Sequence, residues 1–439
     1  MAYPTNILQQ VQTYQRSGLA LLLNSYAFIS KANKKFENFN DTVANLGSSI
    51  TFDLPPRLSA NAGLVATVQA ANQRFQTLSV NQASNVTYSF SNEERIFNVD
   101  KSESYLPAFV ETAIASLGAF IEADIAKNAI SGVVAINPNS PSYGQPNVSS
   151  GPYRFFGNGR DQISSFQQIS QMIANFKDYG AVREGIWVVL PEVNVPAIVG
   201  SGLNQFTPRR NDEMAMSWEI GAYGTPEVMY YQSNLLPIHT SGTVGNNATT
   251  LTLVSVNDPT GANVTQMTFS GAAASDPNAV VSGDLGQFND GVSGQPTMRY
   301  LSFTAYSPTQ QPVQFRVTAN AASTSGGQVT VNITPALCWV AGATQNLNNP
   351  LAPGMQVSFV PTHRAGLVVG GNSLFLAMPR LPPQRPYDVS SEIDKDSGAS
   401  IRLTYGSVLG QDKMLIIHDA IWDSTLVPEY SMRVLFPPN

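Results

Sequence analysis

Three histidines, one cysteine and a few close carboxylate pairs are the residues of this chain best suited to chemistry. His239, His363 and His418 are far apart in sequence, and none has the spacing that sets two metal ligands on one helix face. Each reads as a hydrogen-bonded structural residue. His239 and His363 flank a stretch of distinct composition, so folding could bring them together, but two ligands alone do not make a metal centre. Cys338 lies between Leu337 and Trp339 in an apolar run and reads as a buried, inert thiol, since a reactive one needs exposure and a cationic neighbour. The pairs Glu93–Glu94 and Asp394–Asp396 sit in polar stretches and read as solvated; nothing sets either across a cleft, as glycoside hydrolysis requires. Gly366 to Gly371 lacks the Lys and Ser/Thr of a phosphate loop, and no nucleophile elbow or dinucleotide fingerprint occurs. No catalytic, cofactor or metal residue is assigned, and the chain reads as a non-enzyme.

The elements must therefore serve another purpose. The chain has 439 residues, 43% of them hydrophobic but only 12% charged. The charged share is about half the usual one, so the exterior is covered by uncharged polar residues or buried against partners. A net charge of −6 argues against a nucleic-acid binder acting through clustered Lys and Arg. It leaves room for a wall that merely faces DNA. A single cysteine excludes an internal disulfide. Residues 1–12 lack a basic stretch followed by an apolar core, and no run of 18 apolar residues suggests a membrane span. Triplets such as Asn85-Val86-Thr87 read as chance matches. A soluble cytoplasmic product is expected.

Residues 1–46 read as an N-terminal arm. Leu19, Leu22, Leu23, Tyr26 and Ile29 form an apolar stripe, followed by a basic patch at Lys31, Lys34 and Lys35. Residues 47–99 read as an extended loop, with period-two alternation over 49–54, 75–78 and 86–90 around a polar excursion. The strand groups are expected to form one protruding hairpin. An isolated ribbon is marginal in water, so a partner should cover it. Residues 104–131 carry the clearest helix signal: Leu106, Phe109, Val110, Ile114, Leu117, Phe120, Ile121 and Ile125 recur at three and four. Ser104 can cap it, and Glu111, Glu122, Asp124 and Lys127 supply polar positions. Ser165 to Gln168 matches a capping box, with Phe166, Ile169, Met172, Ile173 and Phe176 on one face and Gly180 at the stop. Residues 186–190 read as a buried strand, 193–199 as a short helix, and 218–221, 227–231 and 233–237 as strand, turn and strand.

Residues 239–363 contain four acidic side chains, two basic ones, and no Lys or Glu. Alternating stretches at 251–254, 314–317 and 329–333 are separated by turn-rich spacers. This reads as an all-β module, a small barrel set into the surrounding α/β chain. Residues 373–378, 401–405, 413–418 and 431–435 read as strands of the host.

This order of elements resembles the major capsid proteins of tailed bacteriophages with the Hong Kong 97 fold, in the subgroup with an inserted β-barrel. The stretches that carry the resemblance are Ile50 to Arg57, Tyr105 to Ser131, Tyr231 to Gly242, Gly283 to Leu285, Gln314 to Val317, Val331 to Ala336, Asn372 to Arg380, Ile401 to Tyr405 and Pro428 to Leu435. It implies an α+β fold divided as N-terminal arm 1–46, extended loop 47–99, spine helix and peripheral domain 100–151, axial/peripheral α/β domain 152–238, inserted barrel 239–363 and returning strands 364–439. It also implies pentamers and hexamers in an icosahedral virion shell around packaged double-stranded DNA, contacted without sequence specificity. Assembly would occur in the host bacterial cytoplasm, with scaffolding and portal proteins as partners, a decoration protein as a further one, and no membrane. Some relatives join subunits by Lys–Asn links from the extended loop. Residues 36–100 contain no Lys, so stability should come from non-covalent overlap. The charges available to pair across a subunit contact are Arg57, Arg74, Glu93, Glu94 and Arg95. The competing reading is a secreted β-rich carbohydrate-binding or adhesion protein, which should carry a secretion signal or an aromatic platform.

Overall fold

The computed structural model describes residues 26–34, 49–54, 74–91, 102–131, 133–134, 145–146, 151–180, 185–194, 196–197, 228–290, 292, 295–342, 344–371, 373–382, 388–393, 399–407 and 413–438. A short helix α1 (Ala27–Lys31) precedes β1 (Ser49–Leu54), β2 (Arg74–Ser79) and β3 (Gln82–Ser91). β1 and β2 pair antiparallel from Ser49↔Ser79 to Leu54↔Arg74, so they form a two-stranded ribbon. β3 does not join that ribbon. It pairs over its whole length with residues 413–422, which separates two strand groups that alternation alone assigns to one hairpin.

The spine helix α2 (Ser102–Ser131) has 30 residues and is about 45 Å long. It starts two residues before Ser104. Val110, Ile114, Leu117, Ile121 and Ile125 are buried along one stripe. Phe109, expected in that stripe, is instead 37% exposed and lies beside Tyr88, with ring centroids 6.0 Å apart. After the short pair β4 (Val133–Val134) and β5 (Gln145–Pro146) come β6 (Phe155–Phe156) and α3 (Phe166–Asp178). The capping box at α3 forms as its sequence requires. The helix gives way at Gly180, whose φ of +75° is a conformation open to glycine.

β7 (Ile186–Pro191) is buried along its full length. Its alternate residues serve two cores: Trp187 and Val189 face the spine helix, and Ile186, Val188 and Leu190 face α3. β8 (Val228–Ser233) pairs parallel to β7, as expected of a sheet covered on both faces. Of the short helix expected at 193–199, Glu192–Asn194 forms a 3-10 turn and residues 196–197 are helical, while 195, 198 and 199 lie outside the described residues. The expected strand at 218–221 lies outside the described residues.

Beyond β9 (Ile238–His239) and α4 (Thr243–Asn246), the chain enters an all-β module. Its strands are β10 (Thr250–Val256), β11 (Val264–Ser270), β12 (Leu285–Phe288), the outlying pair β13 (Arg299–Leu301) and β14 (Pro308–Pro312), β15 (Gln314–Val317), β16 (Gln328–Leu337) and β17 (Gln356–Phe359). Six of them close a barrel in the order β10-β11-β16-β15-β12-β17. Strict alternation places Val329, Val331 and Ile333 of β16 inside, with Phe269, Phe315 and Val357.

The chain then forms β18 (His363–Val369), β19 (Leu374–Ala377), β20 (Asp388–Ile393), β21 (Ser400–Ser407), β22 (Lys413–Leu426) and β23 (Ser431–Phe436). One host sheet runs β6-β23-β18-β7-β8, with β9 also on β18; the other runs β19-β22-β21-β20, with β3 on β22. His363 and His239 are register partners, so the chain leaves and re-enters the host sheet side by side. Among the described residues no helix is long and apolar enough to cross a membrane.

Candidate functional site

Among the described residues, the ribbon of β1 and β2 is supported from one face. Its inner face carries Ile50, Phe52 and Leu78, which pack with Val80, Ala377 and Ile421. Phe52 stacks on Phe375 with centroids 4.4 Å apart and planes 8° from parallel, and Gln76 donates to Thr425 Oγ1 at 2.8 Å. The outer face carries Ser49, Thr51, Asp53, Phe75 and Thr77, all exposed. Phe75 is 65% exposed. Among the described residues β1 and β2 pair only with each other. Among the described residues the ribbon is thus packed on one face, with its other face exposed and no further strand paired to either edge.

Of the charges expected to pair between subunits, Arg57, Glu93, Glu94 and Arg95 lie outside the described residues. Arg74 opens β2, its backbone opposite Leu54.

Three acids that read as ordinary polar positions or passed unremarked are instead buried around the spine helix. Glu122 is 0% exposed and accepts the backbone N–H groups of Phe28 at 2.8 Å and Ile29 at 3.0 Å. Burial pushes its carboxyl up to about 7, against the pull of those N–H groups and of Lys34. Lys34, expected in a solvated basic patch, is itself buried and donates to the Ile29 carbonyl. Asp124, on the other flank of the helix, accepts from Trp422 Nε1 at 2.9 Å. Beside it, Asp423 accepts from Ser424 N at 2.7 Å, and burial pushes it up to about 7. Asn128 completes this seam by donating to the Ser424 carbonyl at 2.7 Å.

A second polar knot ties the barrel to the host. Asp284, 1% exposed, accepts from His239 Nε2 at 2.9 Å, Gly242 N at 3.1 Å and Val281 N at 2.8 Å. The His239 and His363 rings are 5.4 Å apart. His363 Nδ1 lies 2.7 Å from the Pro361 carbonyl. A carbonyl only accepts, so Nδ1 carries the proton and Nε2 is left to accept from Arg433 at 3.4 Å. Burial and the Arg433 charge hold His363 well below the usual histidine range. Burial also holds Arg433 down to about 9 and Arg316 to about 10. The third histidine, His418, lies 3.1 Å from the Tyr88 hydroxyl and is held down to about 4 by burial. These are neutral, structural imidazoles. Cys338 is buried, with its thiol toward the Val340 carbonyl at 3.7 Å. Among the described residues no three His, Cys, Asp or Glu side chains converge to hold a metal.

No family model matches the chain, and no curated protein matches it. Solved phage structures are similar to it over most of its length. The capsid of Ralstonia phage GP4 matches over 94% of this chain and 92% of its own, at 11% identity and a TM-score of 0.43. A structure from Mycobacterium phage Che8 matches over 93% and 91%, at 8% identity and a TM-score of 0.39. The capsid of the cyanophage P-SCSP1u matches over 94% and 89%, at 10% identity and a TM-score of 0.37. Identities and scores this low mark a likeness of broad outline, with no residue-level correspondence.

Proposed function

We propose that this chain is the major structural subunit of a bacteriophage head, of the Hong Kong 97 type with an inserted barrel, and that it acts by assembly and not by catalysis. The observation that carries the reading is the ribbon: its inner face packs against Phe375, Ala377 and Ile421, while among the described residues its outer face, with Phe75, is exposed and its edges pair with no other strand. A lone two-stranded ribbon has too little burial to be stable in water, and open edges invite pairing with another chain. A second copy of the same protein supplies the cover, and repetition around closed symmetry turns one modest contact into a shell. The resemblance to phage major capsid proteins extends this reading to pentamers and hexamers enclosing double-stranded DNA, with scaffolding and portal proteins as assembly partners and the virion as the final location. The low charge of the chain suits extensive burial between copies, where obligate interfaces commonly exceed about 2,000 Å². Residues 239–363 would be an insertion seated on paired host strands, and Arg57, Arg74, Glu93, Glu94 and Arg95 candidates for pairing between copies.

The test is to replace residues 55–73 with a short turn, which leaves β1 and β2 in register, and to express the variant with the other head proteins. The expected outcome under electron microscopy is a soluble, folded subunit without closed particles. Normal particles from the variant would overturn the reading.

A further inference from the structure

The geometry points to the cleft between host and barrel as a binding site for a sugar acid, a ligand with several hydroxyls and one carboxylate. The cleft holds about 280 Å³ and lies where β6 and α3 of the host meet β12, β14 and β15 of the module. Its walls are amides: Gln171 and Asn175 from α3, Gln310 and Gln311 from β14, and Gln287 from β12. Among the described residues the side chains of Gln171, Asn175, Gln310 and Gln311 make no hydrogen bond within the protein. Phe156 and Pro312 add apolar surface, and no acidic side chain lines the cleft. A primary amide both donates and accepts, as a hydroxyl does, so these walls suit a hydroxyl-rich ring.

A smaller chamber of about 10 Å³ shares Asn175, Gln311, Pro312 and Gln314 with the cleft and is lined further by Arg154. That is room for one water-sized atom, hence for one carboxylate oxygen. Arg154 is 3% exposed. Its guanidinium stacks 4.1 Å over the Tyr179 ring and donates from Nη2 to the Glu429 carbonyl at 3.2 Å, while Nε has no partner. Among the described residues it forms no ion pair. A buried N–H without an acceptor is costly, and the guanidinium fork is the side chain best matched to a carboxylate.

A peptide strand fits the cleft less well. The N–H and carbonyl of Phe155 are both taken by the Gln314 side chain, at 2.8 and 3.0 Å, and Gln310 N by Asp178 at 2.6 Å. These backbone groups are closed to strand addition, which leaves side-chain amides and the guanidinium to recognise a ligand.

Saturation-transfer NMR and calorimetry on the full-length free subunit test this with D-glucuronate and D-glucose, which differ only in a carboxylate for a hydroxymethyl group. Glucuronate should bind with a Kd on the order of 1 mM, about tenfold tighter than glucose. Gln171→Leu, at an exposed position of α3, and Asn175→Leu should each weaken glucuronate about fivefold with no change in the far-UV spectrum. No glucuronate binding in the millimolar range, equal binding of the two sugars, or unchanged binding in both variants would overturn the assignment. A short oligoglutamate peptide that binds more tightly than glucuronate would assign the cleft to a protein partner and overturn it as well. The measurement stands apart from whether shells form.

Discussion

Removing the Asp284 carboxyl should be among the most damaging single changes in this protein. The side chain is 1% exposed and accepts three hydrogen bonds, from His239 Nε2, Gly242 N and Val281 N, at 2.8–3.1 Å. Its charge also acts favourably on Arg433, which is 0% exposed. Asp284→Ala strands donors in a dry site, each at a cost of about 1–3 kcal/mol. It also removes a favourable charge from the neighbourhood of the buried Arg433, so with three donors stranded the total should be about 3–5 kcal/mol. Asp284→Asn keeps a carbonyl acceptor and the side-chain volume, so its loss should be about half as large. Urea titration of the purified subunit reads both variants, with tryptophan fluorescence reporting on Trp339 in the barrel and Trp187 and Trp422 in the host. The reasoning fails if Asp284→Ala unfolds within about 1 kcal/mol of wild type, because the three donors would then lose nothing without their acceptor.

Phe375→Ala should leave the subunit folded but unseat the ribbon, since the Phe52 ring loses its stacking partner; particle yield by sedimentation should drop more than subunit stability does. Gly261→Ala should destabilise the barrel by roughly 2–3 kcal/mol, because φ is +74° and a Cβ would fall 1.8 Å from the Trp339 ring; calorimetry checks it. His418 is held down to about 4, so the unfolded chain binds a proton there first and stability falls as pH drops from 6.5 toward 4, by roughly 3 kcal/mol. His418→Gln should abolish that part of the pH dependence, which a paired denaturation series at pH 7.5 and 4.5 would reveal as a smaller difference than in wild type.

Much of the architecture is written in local periodicity. The spine helix shows itself because Val110, Ile114, Leu117, Ile121 and Ile125 return to one face. β16 does so because Val329, Val331 and Ile333 alternate with exposed residues. The capping box at Ser165 is a four-residue signal and forms where it is expected. What periodicity cannot convey is the identity of a distant partner. β2 and β3 both alternate, but only pairing decides that one joins β1 and the other β22. Glu122 and Asp124 look like solvated positions on an amphipathic helix. Their burial depends on N–H groups 93 and 94 residues away and on an indole 298 residues away, and nothing in the local sequence announces those acceptors' donors. Lys34 is the same case: its burial and its bond to the Ile29 carbonyl are invisible in the sequence beside Lys31, which is exposed. The only available hint was two acids so close to the apolar stripe. His239 and His363 were easier, because the two ends of a compact module tend to meet.

The central claim is that another copy of the chain covers the open face of the ribbon, and Phe75 reports on it directly. The lone native cysteine is buried, so a thiol placed by Phe75→Cys can be labelled selectively. Maleimide labelling should be fast in the free subunit and nearly abolished in assembled particles. Equal labelling in both, or a failure to form particles with the other head proteins present, would contradict the account.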